Sequence, residues 1–230
     1  MNRLPIYIGY DKREEQAVRV AVTTAGSYGC PVTLLVEDRL RASGMLTRTT
    51  DRRNGIWDFN SSAPQSTEFA ITRFFVPLLA HSGWCLFVDC DVVFLEDPNE
   101  LMHVADPRYA VQVVKHDIVD HDQFKMDGQV QTNYHRKLWS SVMLINTDHK
   151  ANRRINLSML NSWPGRDLHA FNWLNDEEIG NLPPEANWLV NLQSKPERPI
   201  IAHYTKGGPW CDGWQEQPHD DLWLAYASEP

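Results

Sequence analysis

The sequence predicts an α/β fold with a parallel sheet, and three observations carry that expectation. Leu4 to Tyr10 (LPIYIGY) is a short apolar run that reads as a buried strand. Asp11 and Glu14 offer a capping box, after which Ala17, Val20, Ala21, Thr24, Ala25 and Tyr28 recur at the i, i+3, i+4 spacing of a helical core face. Pro31 then restarts the chain, and Val32 to Val36 reads as a second strand. Strand, helix and strand in that order are the opening of an α/β unit.

The remaining elements follow in order. Residues 39 to 65 mix Arg, Asn, Ser and Gly without periodicity and read as a long loop, a candidate for mobility. Ser66 to Ala80 reads as a helix that kinks or ends near Pro77. Trp84 to Val88 (WCLFV) is a near-continuous apolar strand. It runs into Asp89-Cys90-Asp91, with Val92 to Leu95 directly after. Tyr109 to Val114 is a further strand, and residues 115 to 138 form a polar stretch that suits an active-site loop. Ser141 to Asn146 is apolar again. Asn152 to Leu160 and Asp176 to Gly180 read as helical, and Ile200 to Tyr204 reads as a last strand before Gly207-Gly208-Pro209-Trp210. No repeat or linker divides the chain, so residues 1 to 230 are expected to form one domain.

Composition narrows the function. The chain is 42% hydrophobic and 23% charged, which suits an ordinary globular core. Its net charge of -8 and lack of a basic run argue against general nucleic-acid binding, which needs a positive surface to displace counterions. Cys30, Cys85, Cys90 and Cys211 form no CxxC pair and are expected to be reduced thiols, mostly in the core. No apolar run reaches the length of about 20 residues needed for a membrane helix, and the start lacks the apolar stretch of a signal peptide. A cytoplasmic location is therefore the expectation.

Asp89-x-Asp91 is the strongest chemical signal. Residues two apart on a strand point the same way. Two carboxylates on one side, where an apolar strand ends, suit a hard cation with oxygen ligands, Mg or Mn. A solvated acidic turn is the competing reading. The second signal is His203-Tyr-Thr-Lys206-Gly-Gly-Pro-Trp210. Here His203 is a candidate third ligand and Lys206 a candidate phosphate contact, while Gly207 and Gly208 would let a ligand approach the backbone. A core His followed by a turn is the alternative.

Taken together and in order, these segments resemble glycosyltransferase family 8, the group that contains glycogenin and bacterial lipopolysaccharide galactosyltransferases. The resemblance runs from Ile6–Thr24 through Thr72-Arg73-Phe74, Leu86–Val93, Ser141–Asn146 and Asp176–Ile179 to His203–Trp210. It extends to Lys125-Met126-Asp127-Gly128-Gln129 followed by Trp139-Ser140-Ser141. It implies a GT-A fold, a Rossmann-like domain with a mixed, mostly parallel sheet. It further implies a metal-dependent glycosyltransferase that moves a sugar from a UDP-linked donor to a saccharide or other hydroxyl acceptor, with retention. In that reading Asp89, Asp91 and His203 hold Mn2+ (or Mg2+), and Gly9, Tyr10 and Asp11 lie by the uridine. Arg73 and Asp176 lie near the donor sugar, and Lys206 and Gly208 near the phosphates.

The bland readings stand beside these. Asp11 and Asp176 can be helix caps, and Arg73 a surface charge. The chain also departs from the family pattern at Trp139-Ser140-Ser141, where relatives often carry Asn-Ala-Gly, and at Lys206, which follows the His by three residues instead of six. A nucleotidyltransferase is the alternative enzyme, disfavoured by the single glycine in Gly9-Tyr10-Asp11-Lys12-Arg13. A non-catalytic sugar- or nucleotide-binding module is the alternative without chemistry. Lys115, His116, Asp117, Asp127 and Gln129 are candidate sugar contacts. One of Trp163, Trp173, Trp188, Trp210 and Trp214 is a candidate acceptor platform. The terminal His219–Tyr226 segment is expected to dock weakly on a partner.

Overall fold

The computed structural model describes residues 3 to 117 and 136 to 227. The chain opens with β1 (Ile6–Gly9), a 3-10 turn over Lys12–Glu14, and α1 (Glu15–Ser27), whose Ala17, Val18, Val20, Ala21, Thr24 and Ala25 are buried. Next come β2 (Val32–Leu35) and α2 (Glu37–Ala42). The polar stretch expected to be a loop is instead built: β3 (Thr50–Asp51), β4 (Ile56–Asp58) and β5 (Ala63–Gln65) form a small antiparallel sheet. Most of its polar residues are exposed, but two of them hold it to the interior. Arg48 and Asp58 are both buried and form an ion pair, and Arg48 Nη1 also donates to the carbonyls of Leu160 at 2.9 Å and Trp163 at 2.8 Å.

The helix expected over residues 66 to 80 shrinks to a 3-10 turn over Thr72–Phe75 and α3 (Val76–Leu79). Pro77 lies in the first turn of α3, the place where its missing N–H costs nothing. β6 (Trp84–Val88) and β7 (Val92–Phe94) follow, then β8 (Val111–Val113) and β9 (Val142–Asn146). A 3-10 turn over Lys150–Arg154 leads into α4 (Leu157–Ser162) and α5 (Gly165–His169).

Residues 176 to 180 are not a helix. They form one 3-10 turn, Asp176–Glu178, and the start of β10 (Ile179–Asn181). The cap there is Asn175, in a reciprocal box with Glu178. β11 (Trp188–Leu189), β12 (Ile201–His203) and α6 (Asp220–Ala227) complete the described chain. One face of α6 packs on its own protein, with Trp223 4% exposed in a cluster with Val20 of α1, Val93, Trp188 and Tyr204, while Leu224 is exposed.

The main sheet has six strands in the order β10-β8-β9-β6-β1-β2. β1 runs parallel to both β2 and β6, and β10 runs parallel to β8. β9 runs antiparallel to both its neighbours, which makes the sheet mixed, as the family resemblance implied. β6 is apolar throughout and β9 apolar up to its final Asn146, because the core covers both their faces. The second sheet, β11-β12-β7, pairs β12 antiparallel to β7, with His203 opposite Val92. The link from β6 to β7 is thus the step from one sheet to the other, and it consists of Asp89, Cys90 and Asp91. Gly9 ends β1 against Phe69: a Cβ there would lie 2.4 Å from the ring, so close packing requires the glycine.

Candidate metal centre

Alternation along the β6–β7 link sets the site. Cys90 is fully buried in the core, and burial holds its thiol well above its usual pKa. The residues before and after it are less deeply buried. The Asp89 and Asp91 side chains are 15% and 14% exposed. Two backbone bonds pin the link: Asp89 N–H donates to the Ser141 carbonyl and Tyr204 N–H to the Asp91 carbonyl, each at 2.9 Å.

The register of β12 against β7 brings His203 alongside. One oxygen from each aspartate and one ring nitrogen of His203 lie within 4.8 Å of one another, which gathers the three residues the sequence proposed as ligands. The donor set fits a hard divalent cation. His203 is 1% exposed, and its Nε2 stands 3.2 Å from Asp91 Oδ1 in a geometry that is not a hydrogen bond. A ring nitrogen that faces a buried carboxylate needs a positive charge at that contact, a metal cation or the ring's own second proton. The far side of the ring is held, with Nδ1 at 2.9 Å from Asn187 Oδ1.

Arg73 is no surface charge. It is 5% exposed, with its guanidinium 5.2 Å from the centres of both the Phe69 and Phe87 rings. Nη1 lies 2.8 Å from Asp89 Oδ1 and donates to the Ser140 carbonyl at 2.9 Å. Arg73 therefore holds a candidate metal ligand in place and fixes the start of β9. Ser140 Oγ lies 2.7 Å from His169 Nδ1, so His169 belongs to the same neighbourhood.

At the end of β1, Tyr10 is half-buried and Asp11 fully buried. Asp11 takes the capping role: Oδ1 accepts from Arg13 N–H at 2.9 Å, and Oδ2 accepts from Glu68 N–H at 3.0 Å and Arg13 Nη2 at 2.6 Å. Burial raises its pKa, but the bonds from Arg13 and Glu68 outweigh that and hold it below the usual carboxylate range. On the other side, Lys206 is half-buried and Gly207 has a φ of +114°. At Gly208 a Cβ would lie 2.2 Å from the Trp210 ring, so this glycine serves packing whatever else it does.

Asp176 does not join the metal group. Its side chain is 84% exposed and ion-paired with Arg136. Register puts the start of β10 level with Val111, Ile145 and Cys85, near the opposite end of the strands from the Val88–Val142 pair that leads to the metal ligands. His116 is buried beside Asn187, and burial first, then the nearby His203, pushes its pKa down to about 4. Lys115 and Asp117 are exposed, whereas Asp127 and Gln129 lie outside the described residues. Of the tryptophans, Trp173 and Trp188 are buried, while Trp163 and Trp173 line an open cleft of about 500 Å³ with Arg154, Asn156 and Asn172. All four cysteines are free, and Cys211 alone is not buried.

Asn187 and His169 went unread in the sequence. Asn187 carried one usable signal: an amide directly before an apolar run, in Ala186-Asn187-Trp188-Leu189-Val190.

No family model matches the chain. Among solved structures, apo GlyE, a glycosyltransferase of Streptococcus pneumoniae TIGR4, aligns with a TM-score of 0.62 at 12% identity, covering 99% of this chain and 61% of GlyE. The chain thus spans about three-fifths of GlyE's length. The galactosyltransferase LgtC, in complex with donor and acceptor sugar analogues, aligns with a TM-score of 0.54 at 14% identity over 99% of this chain and 98% of that one. The fold is therefore GT-A, as the resemblance implied. In sequence, the chain is 38% identical over 228 residues to protein CDI of Arabidopsis thaliana, covering 95% of this chain and 84% of that protein. By that identity and coverage, the chain belongs to the family of the Arabidopsis protein CDI.

Proposed function

We propose that residues 1 to 230 act as one glycosyltransferase domain, moving a sugar from a nucleotide-sugar donor, UDP-linked, to a hydroxyl acceptor with retention. The observation that carries the proposal is the convergence of Asp89, Asp91 and His203 at the junction of two sheets in a GT-A fold. Those three residues would hold Mn2+ or Mg2+. When bound, such a cation neutralises the charge that develops on a leaving diphosphate.

The chain's own residues supply the rest. Arg73 fixes Asp89 and places a buried positive charge beside it. Asp11 holds the turn after β1, so that Gly9 and Tyr10 present a fixed edge to the base of the nucleotide. Lys206 and the Gly207-Gly208 backbone stand directly after His203, on the side proposed to meet the phosphates. Asp176 is assigned to the donor sugar on the strength of the resemblance alone. The proposal extends to the acceptor side, where LgtC's binding of an acceptor sugar analogue supports a saccharide.

The test is a panel of nucleotide sugars incubated with the protein and Mn2+, with release of the nucleoside diphosphate as the readout. One UDP-sugar is expected to be turned over, slowly without acceptor, and EDTA is expected to stop it. Formation of a nucleotide sugar from UTP and a sugar 1-phosphate would replace the proposal with nucleotidyl transfer. Silence across the panel would leave a binding module.

A further inference from the structure

We propose that Asn187 is a positioning residue that locks His203 in the tautomer a metal needs, with the proton on Nδ1 and the lone pair on Nε2. This rests on the metal-site reading given above and goes past it, to the residue that prepares the site.

Asn187 is fully buried, and its amide has three partners. Oδ1 lies 2.9 Å from His203 Nδ1. Nδ2 donates to Ser141 Oγ at 3.0 Å and lies 3.0 Å from His116 Nε2. These contacts fix the direction of each bond. Ser141 Oγ gives its proton to the Leu138 carbonyl at 2.7 Å, so toward Asn187 it accepts. The amide nitrogen must then face Ser141, and the amide oxygen must face His203. An amide oxygen only accepts, so His203 Nδ1 carries the proton. In the neutral ring Nε2 then carries the lone pair, aimed at Asp91 Oδ1 3.2 Å away. Partners behind a metal-binding histidine set its tautomer and ring orientation in this way, and removing one weakens metal affinity about 10- to 100-fold.

Position in the fold strengthens the assignment. Asn187 closes the turn before β11, which pairs in parallel with β12, so Leu189 lies opposite His203. Ser141 immediately precedes β9, and its carbonyl holds Asp89 N–H. One amide thus ties the His203 strand to the strand that anchors the first aspartate. Both sides of the candidate centre are held through it.

Two variants and two readouts test this. In Asn187→Leu the volume is kept and both bond types are lost. In Asn187→Asp a carboxylate oxygen still accepts from His203 Nδ1. Mn2+ affinity, measured by calorimetry without any nucleotide, is expected to fall 10- to 100-fold in Asn187→Leu and to stay within about threefold in Asn187→Asp. Nitrogen-15 spectra of histidine-labelled, metal-free protein are expected to show His203 protonated on Nδ1 in the wild type and in Asn187→Asp, with an Nε2–H population appearing in Asn187→Leu.

An unchanged Mn2+ affinity in folded Asn187→Leu would overturn the proposal. So would a wild-type His203 protonated on Nε2, a result that needs no variant to fold. If the wild type binds no Mn2+ while the His203 tautomer still follows residue 187, the metal reading fails and the positioning role stands.

Discussion

Replacing Asp91 with Asn is expected to lower kcat/KM on the order of 10³-fold and to leave the fold intact. The substitution keeps the size of the side chain and removes one of the two negative charges that, with His203, define the site. A metal acting as a Lewis acid supplies several kcal/mol of transition-state stabilisation, and each 1.36 kcal/mol is tenfold in rate. The melting temperature of the metal-free variant should match the wild type or exceed it, because Asp91 stands close to Asp89 and no longer repels it. In the wild type Mn2+ should raise the melting temperature, and in the variant it should not. A variant that keeps its activity and its Mn2+ response would remove Asp91 from the site.

The largest effect on stability is expected at Arg48, far in the sequence from any candidate ligand. Both partners of the Arg48–Asp58 pair are almost entirely out of solvent, at 1% and 0% side-chain exposure. Burial alone would raise the Asp58 pKa, and the bonds from Arg48 and Ser61 hold it below the usual range instead. Arg48→Met strands a buried carboxylate and leaves the Leu160 and Trp163 carbonyls without their donor. Breaking one side of a buried pair costs roughly 3–5 kcal/mol. In a domain of this size that lowers the melting temperature on the order of 10 °C. Adding Asp58→Leu to Arg48→Met should restore part of the loss, since the uncompensated charge goes with it. A drop of less than about 2 °C in the single variant would mean that the pair is not buried in solution.

These two predictions also mark how far the sequence could be read. Asp89-x-Asp91 was legible because its signal is local: an apolar strand runs straight into two carboxylates separated by a residue that points the other way. His203 was legible for a similar reason, at the end of Ile200–His203. What could not be read was every feature that depends on a partner far along the chain. The segment from 39 to 65 read as a loop because its polar residues show no periodicity, and periodicity does not record that Arg48 and Asp58 are buried against each other and α4. The chain direction of β9 leaves no mark on its composition, so the mixed sheet came from the family resemblance and not from the strand patterns. Asp176 to Gly180 carried a helix-like cap followed by an apolar residue. Asn175 does cap a turn there, but Ile179 pairs with Val111, and the segment becomes a strand. For Arg73 the resemblance implied a place near the donor, with a charge on a helix face as the bland alternative. Only the fold shows it between two phenylalanine rings with Asp89 as its counter-charge.

The central claim is that Asp89, Asp91 and His203 form a cation site that serves a nucleotide. Calorimetric titration with UDP, carried out with Mn2+ and again with EDTA, tests it most directly. The account predicts binding with Mn2+ that is at least tenfold weaker in EDTA, and no metal enhancement in Asp91→Asn. Equal UDP affinity with and without the metal, or Mn2+-dependent binding that survives in Asp91→Asn, would contradict it.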